Sequence, residues 1–185
     1  MARAFIGIGS NIEPERNVRA AIRNLAQQTH LIGVSTVYCT DALDRPEQPS
    51  YFNCVAEIET DALPGQVKRA ILRPIEDELG RKRTQDKYAP RTIDLDLIVY
   101  GDLSMDDGDI RLPDPDIFER PFLAIPLFEL APDLVLAGPG LRVGDIAAAM
   151  AKDGLKPLRD YSRLLNDEVR RRRGMEPIDW CLHSM

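Results

Sequence analysis

Histidine and cysteine, the residues that most often bind zinc or act as catalytic nucleophiles, are scarce in this sequence. His30 and His183 are the two histidines, and neither is near a carboxylate cluster along the chain, so a zinc site is not expected. The three cysteines, Cys39, Cys54 and Cys181, form no Cys-x-x-Cys pair and are odd in number. Such a set is typical of small, reduced, buried thiols and predicts a cytoplasmic protein.

Long apolar runs and an excess of positive charge are also missing. No apolar segment approaches the length of a membrane span, and residues 1–5 lead into a predicted strand rather than a signal peptide. The net charge of -6 argues against a general nucleic-acid binder, which needs a basic surface. We therefore expect neither a membrane nor a nucleic-acid partner. The 185 residues, 44% of them apolar and 29% charged, suit one globular domain with a substantial core.

The segment 92–100 has the alternating pattern of a β-strand. Successive side chains of a strand point to opposite faces, so Asp94 and Asp96 are predicted to project together, with roughly 7 Å between their Cα atoms. Two adjacent carboxylates repel each other unless a cation lies between them, and oxygen ligands of this kind suit Mg²⁺. Arg91 adds a phosphate-binding guanidinium. The pair therefore predicts a Mg²⁺-nucleotide site, although solvent-facing carboxylates on an edge strand are a commoner cause of the same pattern. The alternating apolar residues are predicted to face the core: Ile93, Leu95, Leu97 and Val99.

A block of cations, Arg81-Lys82-Arg83 with Lys87, precedes this acidic strand in an otherwise acidic protein. A solvated charge run is the simplest explanation. Cations beside paired carboxylates are better explained if a polyphosphate and its metal lie between them.

The predicted elements follow the order strand, helix, strand, strand, helix, strand. The strands are expected at 3–9, 31–40, 51–59 and 92–100, and the helices at 14–28 and 63–79, the second one kinked at Pro74. This order predicts an α+β, ferredoxin-like split βαβ fold, an antiparallel sheet with two helices on one face. A hairpin near 105–112, an apolar, partly helical segment over 117–130 and a short helix over 143–151 follow. Residues 1–160 are predicted to form the domain, and 161–185 a charged extension, solvated over 166–173.

Several stretches, taken in order, resemble the 6-hydroxymethyl-7,8-dihydropterin pyrophosphokinase family. The principal match is Ala89-Pro90-Arg91-Thr92-Ile93-Asp94-Leu95-Asp96-Leu97, where glycine is usual at the position of Ala89. The other matches are Ile8-Gly9-Ser10-Asn11, Tyr51-Phe52-Asn53, Glu76 with Gly80-Arg81, and residues 121–132. Together they span roughly residues 3 to 155. The resemblance implies the ferredoxin-like fold and transfer of diphosphate from ATP to the pterin, with release of AMP, in folate biosynthesis.

The resemblance also implies roles for particular residues. Asp94 and Asp96 would hold two Mg²⁺ ions that bridge the phosphates of the co-substrate ATP. The cations expected near ATP are Arg81, Arg83, Lys87, Arg91, Arg111 and Arg120, and the acidic residues near it are Glu76 and Asp114. Arg81, Arg91, Asp94 and Asp96 would form the catalytic set. The residues expected to bind the pterin are Thr40, Leu43, Tyr51, Asn53 and Phe122, with Phe122 stacked on its ring.

Asp114 and Pro115 depart from the family pattern, which usually has a histidine that contacts ATP phosphate, followed by an aromatic residue. Three functions stay open at this point. The first is an active pterin diphosphokinase, and the second is a divergent relative that binds pterin without full catalysis or acts on a modified pterin. The third is another two-metal phosphoryl or nucleotidyl transferase on a ferredoxin-like core.

Overall fold

An antiparallel six-stranded sheet forms the centre of the molecule. The computed structural model describes residues 1–42, 45, 47–84, 86 and 89–174. The strands are β1 (Ala2–Ser10), β2 (His30–Val34), β3 (Tyr38–Thr40), β4 (Tyr51–Thr60), β5 (Asp94–Tyr100) and β8 (Lys156–Pro157), with a separate hairpin of β6 (Met105–Asp106) and β7 (Arg111–Leu112). Their order across the sheet is β5-β1-β4-β3-β8, and β2 also pairs with β4. The first strands thus have the predicted split βαβ arrangement.

Helices cover both faces of this sheet. They are α1 (Pro14–Gln28), α2 (Pro64–Gln66), a π-helical segment (Val67–Leu72), α3 (Arg73–Glu78), a 3₁₀ turn (Pro115–Phe118), α4 (Pro121–Leu130), α5 (Val143–Ala149) and α6 (Arg159–Arg172). One core layer packs the α1 and α2–α3 side of the sheet, and a second layer contains residues of α4 and α5. The two predicted helices on one face are confirmed, and α4 closes the other face.

The predicted strand over 31–40 is wrong as a single strand. β2 ends at Val34 and β3 begins at Tyr38, although both pair with β4. The Ser35 hydroxyl accepts a hydrogen bond from the Val55 backbone N–H at 2.9 Å, and the Val37 N–H donates to the Ser162 hydroxyl at 2.8 Å. The Ser35 N–H still donates to the Val55 carbonyl at 2.9 Å, so these side-chain bonds add to the backbone pairing where the chain passes from β2 to β3.

The alternation predicted for β5 fails at its end. The pairing of β1 with β5 shifts between Phe5 and Ile6, which pair with Val99 and Leu97. Because this bulge adds a residue on β5, Ile98 and Val99 both pack in the layer of α4, and Tyr100 returns to the other layer. The prediction that Val99 shares a face with Leu97 is therefore wrong.

The kink predicted at Pro74 takes the form of a π-helical turn. Proline has no N–H, and its ring crowds the carbonyl one turn earlier, whereas the Arg73 N–H bonds the Lys68 carbonyl five residues back. The widened turn places Leu72 in the core and leaves Ala70 exposed.

The prediction that residues 166–173 are solvated is wrong for Val169, which is buried. They belong to α6, which buries Ser162, Leu165 and Val169 along one stripe. Glu168 on the same helix pairs with Arg19 and Arg23 of α1. The division at residue 160 stays a prediction, and residues 175–185 lie outside the described part of the chain. Among the described residues, no helix is long and apolar enough to cross a membrane.

Candidate active site

Asp94 and Asp96 lie on β5, the last strand of the sheet on one side. The Asp94 carboxylate forms an ion pair with the Arg91 guanidinium and a second one with Arg81 at 3.4 Å. The Arg91 backbone is fixed by Asn11, whose side-chain oxygen accepts the Arg91 N–H at 2.7 Å. Both arginines therefore converge on one carboxylate.

Asp96 projects into a cleft that contains several negative charges. Scarcity of water around the carboxyl and the charges of Asp94, Asp114 and Glu76 raise its pKa to about 7, while the Lys68 charge opposes this rise. One side of Asp96 is nevertheless open to solvent. A carboxylate in such surroundings is stabilised by an added cation.

Glu76 supports the strand that carries the two aspartates. Its side chain is buried, and one carboxylate oxygen accepts the backbone N–H of Leu95 at 3.0 Å. The other oxygen accepts from the Arg83 guanidinium at 2.5 Å. Burial raises the pKa of Glu76, and the Asp94 charge adds to the rise, whereas the Leu95 N–H and the Arg83 and Arg81 charges oppose it. Glu76 thus connects the edge of β5 to the cationic loop.

A cavity of about 280 Å³ surrounds these groups, and we call it the aspartate cleft. Gly80, with φ of 76°, ends the preceding helix, and the Arg81 N–H bonds the Glu76 carbonyl at 2.9 Å, so the cationic loop starts at the wall of the cleft. The lining residues are Lys68, Arg73, Glu76, Arg81, Lys82, Arg83, Thr84, Asp86, Ala89, Arg91, Asp94, Leu95 and Asp96. Cations dominate this wall, as an anionic ligand requires.

The donor set of the cleft fits a metal only if a ligand completes the coordination. Within the described ranges, no group of three or more His, Cys, Asp or Glu side chains is placed to hold a metal ion. Asp94 and Asp96 offer hard oxygen donors, and Mg²⁺ is commonly bound by one or two carboxylates plus substrate phosphates and water. The residues therefore fit Mg²⁺ that arrives with a polyphosphate.

A second cavity, also of about 280 Å³, adjoins the cleft, and we call it the Asn53 pocket. Its lining residues are Thr40, Asp41, Ala42, Gln48, Tyr51, Asn53, Arg91, Asp116, Arg120 and Phe122. The Asn53 amide donates to the Thr40 hydroxyl at 2.8 Å, which fixes both polar groups in advance of a ligand. Scarcity of water around the Tyr51 hydroxyl raises its pKa. Phe122 contributes a half-buried ring from the first turn of α4.

Gly9 of β1 brings the two cavities together. In the antiparallel register it pairs with Asn53 on one side and with Asp94 on the other. A Cβ at Gly9 would lie 3.1 Å from the Asn53 side-chain oxygen, so the absence of a side chain keeps that amide in place. Arg91 lines both cavities and forms the wall between them.

Three further residues that were predicted near ATP are divided between cavities. Arg111 and Asp114 line a third cavity, the Asp114 pocket, which shares Lys68 and Asp96 with the aspartate cleft. Arg120 instead lines the Asn53 pocket.

Asp114 has a local structural role as well. Its carboxylate accepts the Asp116 N–H at 2.8 Å and caps the 3₁₀ turn. Burial raises its pKa, and the Asp116 charge adds to the rise, while that N–H bond and the charges of Lys68 and Arg111 oppose it. Leu43 and Lys87, two further predicted site residues, lie outside the described residues.

Sequence reasoning missed Lys68 and Arg73 as lining residues of the aspartate cleft. The available signal was helical spacing, since Lys68 precedes Glu76 by about two turns and is expected on the same side of a helix.

The fold and the site place the chain among ferredoxin-like α+β proteins whose candidate active site joins a cation-lined carboxylate cleft to a partly aromatic pocket. Within that class, the chain belongs to the 7,8-dihydro-6-hydroxymethylpterin-pyrophosphokinase (HPPK) family, because the family model matches residues 5–132.

Curated relatives agree with this assignment. The 2-amino-4-hydroxy-6-hydroxymethyldihydropteridine pyrophosphokinase of Haemophilus influenzae is 38% identical over 139 residues, which is 74% of this chain and 86% of the relative. The protein of the same name from Pseudomonas aeruginosa is 34% identical over 159 residues, which is 84% of this chain and 96% of that one. The crystal structure of Plasmodium falciparum HPPK-DHPS with SDX-DHP matches the fold with a TM-score of 0.60 at 9% identity, covering 85% of this chain and 47% of that structure.

Proposed function

We propose that this protein transfers a diphosphate group from ATP to 6-hydroxymethyl-7,8-dihydropterin and releases AMP, as a step of folate biosynthesis. Family membership supports this activity. The observation that carries the proposal for this chain is the position of Arg91, which lines both the aspartate cleft and the Asn53 pocket. A heterocycle in one cavity would then present its hydroxymethyl group to phosphates in the other.

The aspartate cleft is proposed to bind the ATP phosphates. Arg81 and Arg91 already pair with Asp94, and Arg83 pairs with Glu76, so all three guanidinium groups point toward the carboxylates of the cleft. Lys87 and Arg111 are proposed to add further positive charge. Two bound Mg²⁺ ions would neutralise phosphate charge and help to orient the transferred group. Asp94 and Asp96 would hold them.

The Asn53 pocket is proposed to bind the pterin. The Asn53 and Thr40 polar groups can recognise the hydrogen-bonding edge of the ring, and Phe122 offers a face for stacking. Tyr51 lines the same cavity. Leu43 is proposed to complete it and Arg120 to add a cation beside the phosphates.

In the proposed step, the pterin hydroxymethyl oxygen forms a bond to the β-phosphorus of ATP. The bond from that phosphorus to the oxygen bridging to the α-phosphate breaks, AMP leaves with the bonding electron pair, and the hydroxyl proton passes to water. Arg81 and Arg91 hold the phosphates in line with the attacking oxygen, so positioning and neutralisation of charge supply the catalysis.

The test is a turnover assay of the full chain with labelled ATP, the pterin and Mg²⁺. The expected products are AMP and pterin diphosphate in equal amounts, and neither should form without Mg²⁺. Formation of ADP, or no consumption of ATP, would contradict the proposal.

A second candidate function, pterin binding without nucleotide-dependent catalysis, is favoured by Asp114. This residue brings a carboxylate to the Asp114 pocket, beside Asp96 and the proposed phosphates. Calorimetric titration separates the two functions, since a binding-only relative takes up the pterin but not Mg²⁺-ATP. Uptake of both ligands followed by turnover would eliminate this candidate.

The proposed setting is the cytoplasm, where ATP is available and thiols stay reduced. Cys39 and Cys54 are free thiols, which fits that setting.

A further inference from the structure

We propose that Lys68 is a phosphate-binding residue of the aspartate cleft and that Asp109 positions it there. This inference rests on the proposed function, because the phosphates in question are those of ATP. Lys68 would bind the phosphates from the helical side of the cleft, in addition to the cations of the loop that follows the helix.

Lys68 lies in the π-helical segment and is held at its charged end. Its Nζ donates a short hydrogen bond to the Asp109 backbone carbonyl and lies 3.2 Å from the Asp109 carboxylate. About a quarter of the side chain, 26%, is exposed. The ammonium group therefore occupies a defined position at the rim of the cleft instead of extending into solvent.

Lys68 is shared by two cavities. It lines the aspartate cleft and also the Asp114 pocket, and Asp96 is common to both. Its charge opposes the rise in pKa at Asp96 and at Asp114, which means that it acts on both carboxylates. Where Asp114 brings negative charge toward the phosphates, Lys68 supplies the opposite charge from the other wall.

The cations around Asp109 outnumber the carboxylate that holds them. Besides Lys68, Arg69 contacts Asp109 at 2.9 Å and Arg73 contacts it at 3.1 Å. Three cations thus meet at one carboxylate, and Lys68 is the one whose charge also acts on Asp96 and Asp114. Arg73 also lines the aspartate cleft, whereas Arg69 lines neither that cleft nor the Asp114 pocket.

This difference supplies a matched control. Lys68 and Arg69 share the same anionic partner, but only Lys68 faces the cleft. A purely structural role at Asp109 predicts similar effects when either cation is neutralised. Phosphate binding predicts an effect at Lys68 alone.

The test compares Lys68→Gln and Arg69→Gln by calorimetric titration with Mg²⁺ and a non-hydrolysable ATP analogue. Loss of a charged hydrogen bond predicts that Lys68→Gln weakens binding about tenfold or more, and that Arg69→Gln stays within about twofold of the parent. Lys68→Arg keeps the charge and should retain most of the affinity. Unchanged binding in Lys68→Gln, or an equal loss in Arg69→Gln, would overturn the proposal.

Asp109→Asn tests positioning separately from charge. Removing a negative charge at the rim should tighten binding of an anion if only net charge matters. If Asp109 holds Lys68 in place, the affinity for the nucleotide analogue instead falls severalfold, while the affinity for the pterin is unchanged. Tighter nucleotide binding in this variant would refute the positioning role.

The test of Lys68 can fail or succeed independently of the test of the proposed function. Nucleotide binding is measured without turnover, so an inactive parent protein that still binds the analogue through Lys68 contradicts the proposed activity and leaves this inference standing. Conversely, full turnover with no role for Lys68 contradicts only this inference.

Discussion

Asp96 is the residue whose charge the proposed chemistry uses most directly. We predict that Asp96→Asn lowers Mg²⁺-dependent turnover by at least about a hundredfold, because an amide cannot replace a carboxylate as a metal ligand. Pterin affinity should stay within about twofold, since Asp96 does not line the Asn53 pocket. Steady-state assays and pterin titration measure the two effects. Asp102→Asn, at an exposed position outside both cavities, is the control, and turnover retained in Asp96→Asn would remove Asp96 from the metal site.

The raised pKa of Asp96 also predicts that the stability of the protein depends on pH. The pKa of Asp96 is raised to about 7 in the folded chain, so between its ordinary pKa and this value the folded state binds more protons than the unfolded state. Asp96 therefore costs stability as pH rises through that interval. In metal-free buffer, we expect Asp96→Asn to melt at a higher temperature than the parent at about pH 8, and the difference to vanish at about pH 4.

Scanning calorimetry across this interval is the measurement. A variant that is less stable than the parent at the higher pH would show that Asp96 is already stabilised in the metal-free protein. Added Mg²⁺ with a nucleotide should raise the melting temperature of the parent more than that of the variant.

At the scale of elements, the edge of β5 depends on Glu76. Glu76→Ala leaves the Leu95 N–H without its carboxylate acceptor and is predicted to cost about 1–3 kcal/mol of unfolding free energy. Glu76→Gln keeps an acceptor oxygen and should cost less, although it removes the charge that holds Arg83. Denaturant unfolding of both variants distinguishes the two contributions. Equal losses in both would mean that the charge, rather than the backbone hydrogen bond, matters.

Alternation and helical spacing predicted most elements because those signals are local. β1, α1 and β4 follow directly from their patterns. The break after Val34 was not predictable, since it depends on a bond from Val55 to the Ser35 hydroxyl, a partner distant in sequence. The bulge in β5 likewise depends on the register with β1, which no single strand encodes.

The site could be predicted in part for a similar reason. The spacing of Asp94 and Asp96 is contained in one strand, whereas the placement of Asn53 and Asp94 on either side of Gly9 depends on both β4 and β5 pairing with β1. Resemblance to the family supplied those residues. It could not supply Lys68, whose proximity to Asp109 depends on where the β6–β7 hairpin lies against the π-helical segment.

At the scale of the whole molecule, α6 completes the core beside α1 and β2. Leu165 is 1% exposed and Leu164, its neighbour, is 42% exposed, so the two leucines form a matched pair. We predict that Leu165→Ala costs about 2–5 kcal/mol of unfolding free energy, because it leaves a cavity in the core. Leu164→Ala should cost well under 1 kcal/mol, as is usual at the surface (about 0.5 kcal/mol). Chemical denaturation of both variants is the measurement, and equal effects would contradict the observed packing of α6.

The pairing of Asp94 with both Arg81 and Arg91 has a consequence for the order in which the site is assembled. If Asp94 holds Mg²⁺ as proposed, a bare ion would compete with two guanidinium groups for one carboxylate and would bring no anion to pair with them. A metal that enters with a triphosphate also supplies phosphate oxygens, and each arginine can then pair with phosphate instead of Asp94. Metal and nucleotide should therefore bind cooperatively, each weakly alone and tightly together, and the nucleotide-free protein should take up little metal.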